Sequence, residues 1–194
     1  DLARDDLIVS LDWLLEHEPV YTAGTSAAAD ELLEARFDVV ETGRGGRYTY
    51  HGPGQLVAYP IVKLGTKDLH RYLRQLEDIL IRTLADFGLS GTALPGKTGV
   101  WVKGRKIASI GIAVRHWISY HGFALNIDND LTDFAAIVPC GLPGVTMTSM
   151  SQELGGPVAK DQVAEILIGH FMPVYIKLIH PYPAQRLFIG TAVS

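Results

Sequence analysis

The chain carries one cysteine, Cys140, in 194 residues, so no internal disulfide can form and no cysteine cluster can hold a metal. It also lacks an excess of basic charge: 17 Lys and Arg against 21 Asp and Glu leave a net charge of −4. A nucleic-acid binder would carry a basic face to displace counterions, so that class is disfavoured, although an acidic protein could dock on a local basic patch. No apolar run approaches the roughly 18 residues of a membrane span. No basic, Ser-rich leader or signal peptide opens the chain, which leans toward a bacterial cytoplasm as its home, with an organelle matrix as the alternative. Internal repeats and low-complexity linkers are missing as well. A single cysteine suits a reducing compartment and leaves Cys140 as either core filler or chemistry.

What is present describes a globular protein: 47% hydrophobic residues, 20% charged residues, and a length that fits one domain over 1–194. The densest run of glycine, proline and rings is Arg44 to Gln55, RGGRYTYHGPGQ. Glycine lets backbone approach a bound molecule and proline fixes the neighbouring turn, so this stretch reads as a pocket wall.

Around it, strands are predicted over 12–21, 38–42 and 55–64, with a short helix over Ala27 to Phe37 capped by Ser26. Asp68 to Phe87 places apolar residues at helical spacing and Gly88 stops it. The other face of that helix carries Lys67, Arg71, Arg74 and Arg82, a solvated surface or a docking patch for an acidic partner. Gly104-Arg105 and Arg115-His116 read as hairpin turns of a three-stranded antiparallel meander over 99–127. In that register Ile110 faces His121, and Lys106 and His121 project from one face. A loop follows over 135–144, then a strand over 145–150 and a helix from Ala159 to Phe171 bracketed by Pro157 and Pro173.

Gly91 to Thr98, GTALPGKT, matches the phosphate-binding P-loop letter for letter. That motif needs a strand before it and a helix after it. Here a helix ends before the match and a strand-like GVWVK follows, so it reads as an ordinary glycine-rich connection.

Cys140 lies between Pro139 and Gly141, a loop context that can present sulfur to a substrate. A free thiol with pKa near 8.5 needs a shift of about two units, roughly 3 kcal/mol, to be thiolate at neutral pH. One ammonium about 4 Å away contributes on that order at an effective dielectric of 20. Lys106 is the candidate, its alternative being a solvated hairpin lysine. His51 and His121, each between a tyrosine and a glycine, are either structural or substrate-contacting, and no short His spacing or carboxylate set accompanies them to make a zinc site.

Taken together, RGGRYTYHGPGQ at 44–55, GVWVKGRKIA at 99–108, Tyr120-His-Gly122 and Pro139-Cys-Gly141 resemble the lipoyl(octanoyl) transferase family, with Leu14 to Thr22 similar to its opening strand. The resemblance runs from Leu14 to Gln152. It implies an α/β (α+β) fold, a mixed or antiparallel sheet flanked by helices like the catalytic domain of biotin and lipoate protein ligases. It implies no cofactor and no metal, octanoyl-acyl carrier protein as donor, and lipoyl domains of 2-oxoacid dehydrogenases and the glycine cleavage H protein as acceptors. Cys140 falls on the family's nucleophile and Lys106 on the lysine that lowers its pKa. Substrate-binding stretches fall on Arg44, Gly45, Gly46, Arg47, Tyr48, Thr49, Tyr50 and His51, on Ser109, Ile110 and Gly111, and on His121, Gly122, Phe123 and Ala124. Tyr48, Tyr50 and Ile110 are expected to wall an acyl tunnel, and Gly141 to offer an N–H to an oxyanion. Arg47 stands at a variable position, the spacing over 142–147 departs from the usual one, and Ile179 to Ser194 match no family motif. An ATP-dependent lipoate or biotin ligase, a cysteine thioester hydrolase and a non-catalytic carrier-binding module are the alternatives.

Overall fold

The computed structural model describes residues 10–138 and 144–179. These form nine strands, β1 (Ser10–Leu15), β2 (Val20–Ala23), β3 (Val39–Glu41), β4 (Tyr48–His51), β5 (Gln55–Lys63), β6 (Gly91–Leu94), β7 (Lys97–Val102), β8 (Arg105–Arg115) and β9 (Ile118–Asn126). Three α-helices accompany them, α1 (Leu69–Asp86), α2 (Met150–Leu154) and α3 (Lys160–Ile179). An antiparallel sheet runs β1-β5-β9-β8-β7-β6, and a small mixed sheet runs β3-β2-β4 with β2 and β3 parallel. This is the expected α/β class, with the strands divided between two sheets.

Helix α1 forms where its pattern predicts. The Asp68 side chain accepts the Arg71 N–H at 2.9 Å, and Gly88 at φ +78 lets the Leu89 N–H return to the Leu84 carbonyl. Tyr72, Leu76, Ile79, Leu80 and Leu84 are buried and pack with Leu56, Ala58, Phe123 and Leu125 of the sheet and with Val163, Leu167 and Phe171 of α3. Each such aliphatic side chain contributes about 1.5–3 kcal/mol on burial. A second cluster, Tyr21, Tyr50, Phe134, Ile137 and Met147, fills the space under the small sheet.

Several expectations are corrected. The strand expected over 12–21 is two strands in different sheets, broken over Glu16 to Pro19, where Pro19 has no N–H for a ladder. The helix expected over 27–37 is only a 3-10 turn at Ala29–Glu31. The backbone beyond the turn bonds elsewhere, with the N–H groups of Leu33 and Glu34 donating to the Ala136 carbonyl, and Ser26 does not cap it. The hairpin turns fall at Lys103-Gly104, φ +48 and +77, and His116-Trp117, φ +52 and +62, the paired positive φ of a primed turn. Each lies one residue away from its expected place, so Ile110 pairs with Phe123 and Ile112 with His121. No strand spans 145–150; Met147 makes a single bridge to Lys106 and α2 begins at Met150. Pro173 does not end α3, because Tyr175 stacks on Phe171 beyond it, both buried in the core. The P-loop-like string becomes β6, a Pro95-Gly96 turn and the start of β7, with no helix to receive a phosphate. Among the described residues no helix is long and apolar enough to cross a membrane.

Candidate active site

A cavity of about 260 Å³ opens on the sheet face away from α1 and α3. Alternation along β8, β9 and β5 sends Ala108, Phe123, Leu125, Leu56 and Ala58 into the helix-covered core. Ser109, Gly111, Gly122, Ala124 and Val57, on the opposite parity, line the cavity. At Gly122 this needs glycine, since a Cβ would lie 2.1 Å from the Ala58 carbonyl oxygen.

The loop over 43–47 forms the cavity's second wall. The N–H of Gly45 donates to the Ile112 carbonyl at 2.8 Å, while the N–H groups of Thr25 and Ser26 donate to the carbonyls of Arg44 and Gly46. The Arg44 guanidinium is buried and reaches the Thr22 carbonyl and hydroxyl at 2.6 and 2.7 Å. Arg47, the departure at a variable position, is ion-paired with buried Glu31, whose backbone carbonyl accepts the Val138 N–H at 2.7 Å. This cavity wall is thus tied to a residue two positions before Cys140.

Lys106 enters by a β-bulge. Val100 pairs with Ala108 but Trp101 pairs with Lys106, so Ile107 is an extra residue on β8. Regular alternation would aim Lys106 with Ala108 and Ile110 at the helices; the bulge turns it to the cavity. Its side chain is 1% exposed, donates from Nζ to the Thr98 carbonyl at 3.0 Å and lies 5.6 Å over the Trp101 ring. The bland reading of a solvated hairpin lysine is therefore excluded. The Lys106 N–H donates to the Thr146 carbonyl and its own carbonyl accepts the Thr148 N–H, both at 2.9 Å. Glu153 anchors the same corner, receiving Arg105 at 2.6 Å, Lys103 at 3.2 Å and the Thr148 hydroxyl at 2.6 Å.

Cys140 and Gly141 lie outside the described residues, as do Pro139, Leu142 and Pro143. On either side the chain is fixed, at Val138 by Glu31 and at Thr146 by Lys106.

The cavity gathers Arg44, Gly45, Gly46, Arg47, Tyr48, Thr49, His51, Lys106, Ser109, Ile110, Gly111, His121, Gly122, Phe123 and Ala124. Tyr50 is not among its lining residues: it points the other way from β4 into the second cluster, edge-on to Phe134 at 5.4 Å, so it does not wall a tunnel with Tyr48 and Ile110. Lys106 and His121 do share the site, but through local irregularity, the bulge at one and φ +59 at the other.

His51 is held neutral by burial, with a pKa near 4. Its Nδ1 is 2.7 Å from Gln55 Oε1, and the Gln55 amide donates to the Tyr50 carbonyl and to Asn126 Oδ1. Asn126 in turn donates to the Thr148 carbonyl at 3.0 Å. That chain leaves Gln55 Oε1 only an acceptor's role, so His51 Nδ1 carries the proton. Burial first, then the Arg44 charge, lowers the pKa of His121 as well. Thr22, Thr42, Val57, Tyr59, Gly96, Lys97 and Thr98 also line the cavity and were not expected there. Only Gly96 to Thr98 lay in a string that drew attention, and that string reads as an ordinary glycine-rich connection. Among the described residues no group of three His, Cys, Asp or Glu is placed to hold a metal.

A buried lysine beside a glycine-walled cavity, on an antiparallel sheet backed by helices, defines an α/β fold with a lysine-lined pocket on the open face of its sheet. The family model of the lipoyl protein ligase A/B catalytic domain matches residues 7–172. The chain is 47% identical over 182 residues to the octanoyltransferase of Novosphingobium aromaticivorans, covering 90% of this chain and 82% of that one. It is 49% identical over 160 residues to the octanoyltransferase of Geobacter metallireducens, covering 81% and 75%. Among solved structures, the putative lipoate protein ligase of T. acidophilum with bound lipoic acid superposes with a TM-score of 0.71 at 18% identity, over 91% of this chain and 74% of that one. The biotin protein ligase of Aquifex aeolicus with biotin and ATP gives 0.56 at 12% identity, over 81% and 70%. At those identities the two structures speak for the fold alone. The chain belongs to the lipoyl protein ligase A/B catalytic-domain family, in its octanoyltransferase group, and octanoyl transfer in protein lipoylation is the activity that membership carries.

Proposed function

We propose that the chain is one catalytic domain that moves an octanoyl group from octanoyl-acyl carrier protein to a lysine of lipoyl domains, through an acyl intermediate on Cys140. The acceptors are the lipoyl domains of 2-oxoacid dehydrogenases and the glycine cleavage H protein, and the reaction is cytoplasmic. The observation that carries this reading is the burial of Lys106 at the cavity, with its backbone bonded on both sides to the segment that follows Cys140.

The ammonium of Lys106 favours the Cys140 thiolate, which attacks the thioester carbonyl of the donor. Collapse of the tetrahedral adduct breaks the carbon–sulfur bond to the carrier, and the Lys106 ammonium gives its proton to the departing thiol. Exchanging one thioester for another is nearly thermoneutral, so sulfur keeps the acyl group reactive. The target lysine amine then attacks the acyl-cysteine, neutral Lys106 takes a proton from it, and Cys140 leaves as thiolate with an amide formed. The Gly141 N–H is the candidate oxyanion donor. The acyl chain rests against Val57, Tyr48 and Ile110, and each buried methylene is worth about 0.8 kcal/mol, so cavity depth selects chain length.

Intact-mass spectrometry after mixing with octanoyl-acyl carrier protein tests the scheme. One added octanoyl group that vanishes in Cys140→Ser supports it, and an unmodified wild type after long incubation defeats it. Turnover that needs nucleotide would indicate the ligase chemistry instead, and release of free octanoate without amide formation would indicate a hydrolase.

A further inference from the structure

Thr98 and Gly99 are joined by one peptide group whose two ends meet charged side chains from different parts of the fold. The Gly99 N–H donates to Glu77 Oε1 at 3.0 Å, and the Thr98 carbonyl accepts from Lys106 Nζ at 3.0 Å. Glu77 and Lys106 are each 1% exposed. Glu77 sits on α1 within the apolar stripe, beside Leu76, Ile79 and Leu80, where packing alone asks for no carboxylate and desolvation penalises one. Its second oxygen is paired with Arg74, which is half exposed. Gly99 takes φ +125, and a Cβ there would stand 2.7 Å from Lys106 Cε and 2.5 Å from the Ala108 carbonyl oxygen. Only glycine lets the peptide come this close to the lysine.

We propose that Glu77 is a positioning residue for Lys106, acting through the Thr98–Gly99 peptide. A carboxylate accepting the N–H draws electron density toward the carbonyl oxygen of the same peptide, and that oxygen becomes a stronger acceptor for the ammonium. The arrangement keeps the two charges apart while coupling them, so the lysine is aimed at the cavity without a carboxylate in it to repel a thiolate. The inference rests on the role given to Lys106 above and deepens it.

The test compares Glu77→Gln, Glu77→Asp, Lys106→Ala and the Glu77→Gln/Lys106→Ala pair, reading the rate of octanoyl-enzyme formation by intact mass against donor concentration. Glu77→Gln can still accept the Gly99 N–H but lacks the charge. It is expected to acylate about tenfold more slowly at saturating donor with an unchanged half-saturating concentration, Glu77→Asp recovering part of the loss. The double variant is expected to be no slower than Lys106→Ala alone, since both changes break one relay. Glu77→Gln acylating at the wild-type rate while Lys106→Ala is slow overturns the inference and spares the lysine. Lys106→Ala acylating at the wild-type rate removes the role of Lys106 and this inference with it. A purely structural Glu77 would lower the melting temperature and leave the rate of the folded enzyme alone, which also overturns it. Should Glu77→Gln fail to fold, the amide proton of Gly99 serves in its place: Lys106→Met is expected to move it upfield by depolarising the peptide, and an unmoved resonance overturns the proposal.

Discussion

The two faces of the large sheet are built from the same strands and held by opposite means. Toward the helices, Leu56, Ala58, Phe123 and Leu125 meet Leu76, Leu80 and Leu84, and position follows from volume. Toward the cavity, Ser109, Gly111, Gly122 and Ala124 offer almost no volume, and position follows from backbone contacts and buried hydrogen bonds. Core packing therefore resides on one face and the pocket on the other, and changes on the two sides should have separable consequences.

The sharpest way to break this contrast is Leu80→Ala, on the packed face. It is expected to cost about 2–5 kcal/mol in chemical denaturation while the folded fraction keeps wild-type specific activity. A parallel loss of specific activity would mean the faces are not independent. Next comes Lys106→Ala on the cavity face, expected to slow transfer by roughly 100-fold or more, the scale of a lost proton donor and acceptor. Transfer assays at temperatures well below the melting point check it, and a loss explained by unfolded protein would blur the distinction.

A third, smaller effect is read in pH. The folded pKa of His51, near 4, lies below its ordinary value of 6.5, so unfolding takes up a proton that the folded state does not. Its contribution to stability is complete above the ordinary value and is lost as pH falls toward 4. Thermal melts of His51→Gln should show a flatter acid limb than wild type over that window, and identical slopes would refute the assignment. Smallest of all, Arg82→Gln breaks an ion pair to Asp78 at 2.8 Å between two exposed side chains. Melting experiments should register no more than about 0.5 kcal/mol.

The sequence disclosed the two faces unevenly. Helix α1, strand β5 and the meander were legible because their apolar periods are long and their caps and turns are local. The break over Glu16 to Pro19 falls inside a stretch whose apolar pattern runs on, and the segment after Glu31 does not continue as helix because the Ala136 carbonyl, far along the chain, claims the N–H groups of Leu33 and Glu34. At the site, motif resemblance named most of the cavity lining but misplaced Tyr50, whose ring faces away from its neighbours Thr49 and His51 by simple strand alternation. Lys106 lies at the cavity beside His121 as expected, but it gets there through the bulge at Ile107 and not through regular alternation. Glu77 was invisible, since a single carboxylate in a helix has no pattern to betray that it reaches across to another strand's peptide.

The extra residue at Ile107 has a consequence for anyone redesigning the enzyme. Drawing it into the ladder, so that Ile107 pairs with Trp101 and Lys106 with Val102, would leave the strands uninterrupted, and by ordinary criteria the sheet would look improved. The amine would then be rotated into the greasy side of the protein, beneath α1, and the mouth of the cavity would face a carbon side chain instead. A tidier sheet would be one with no amine at its pocket.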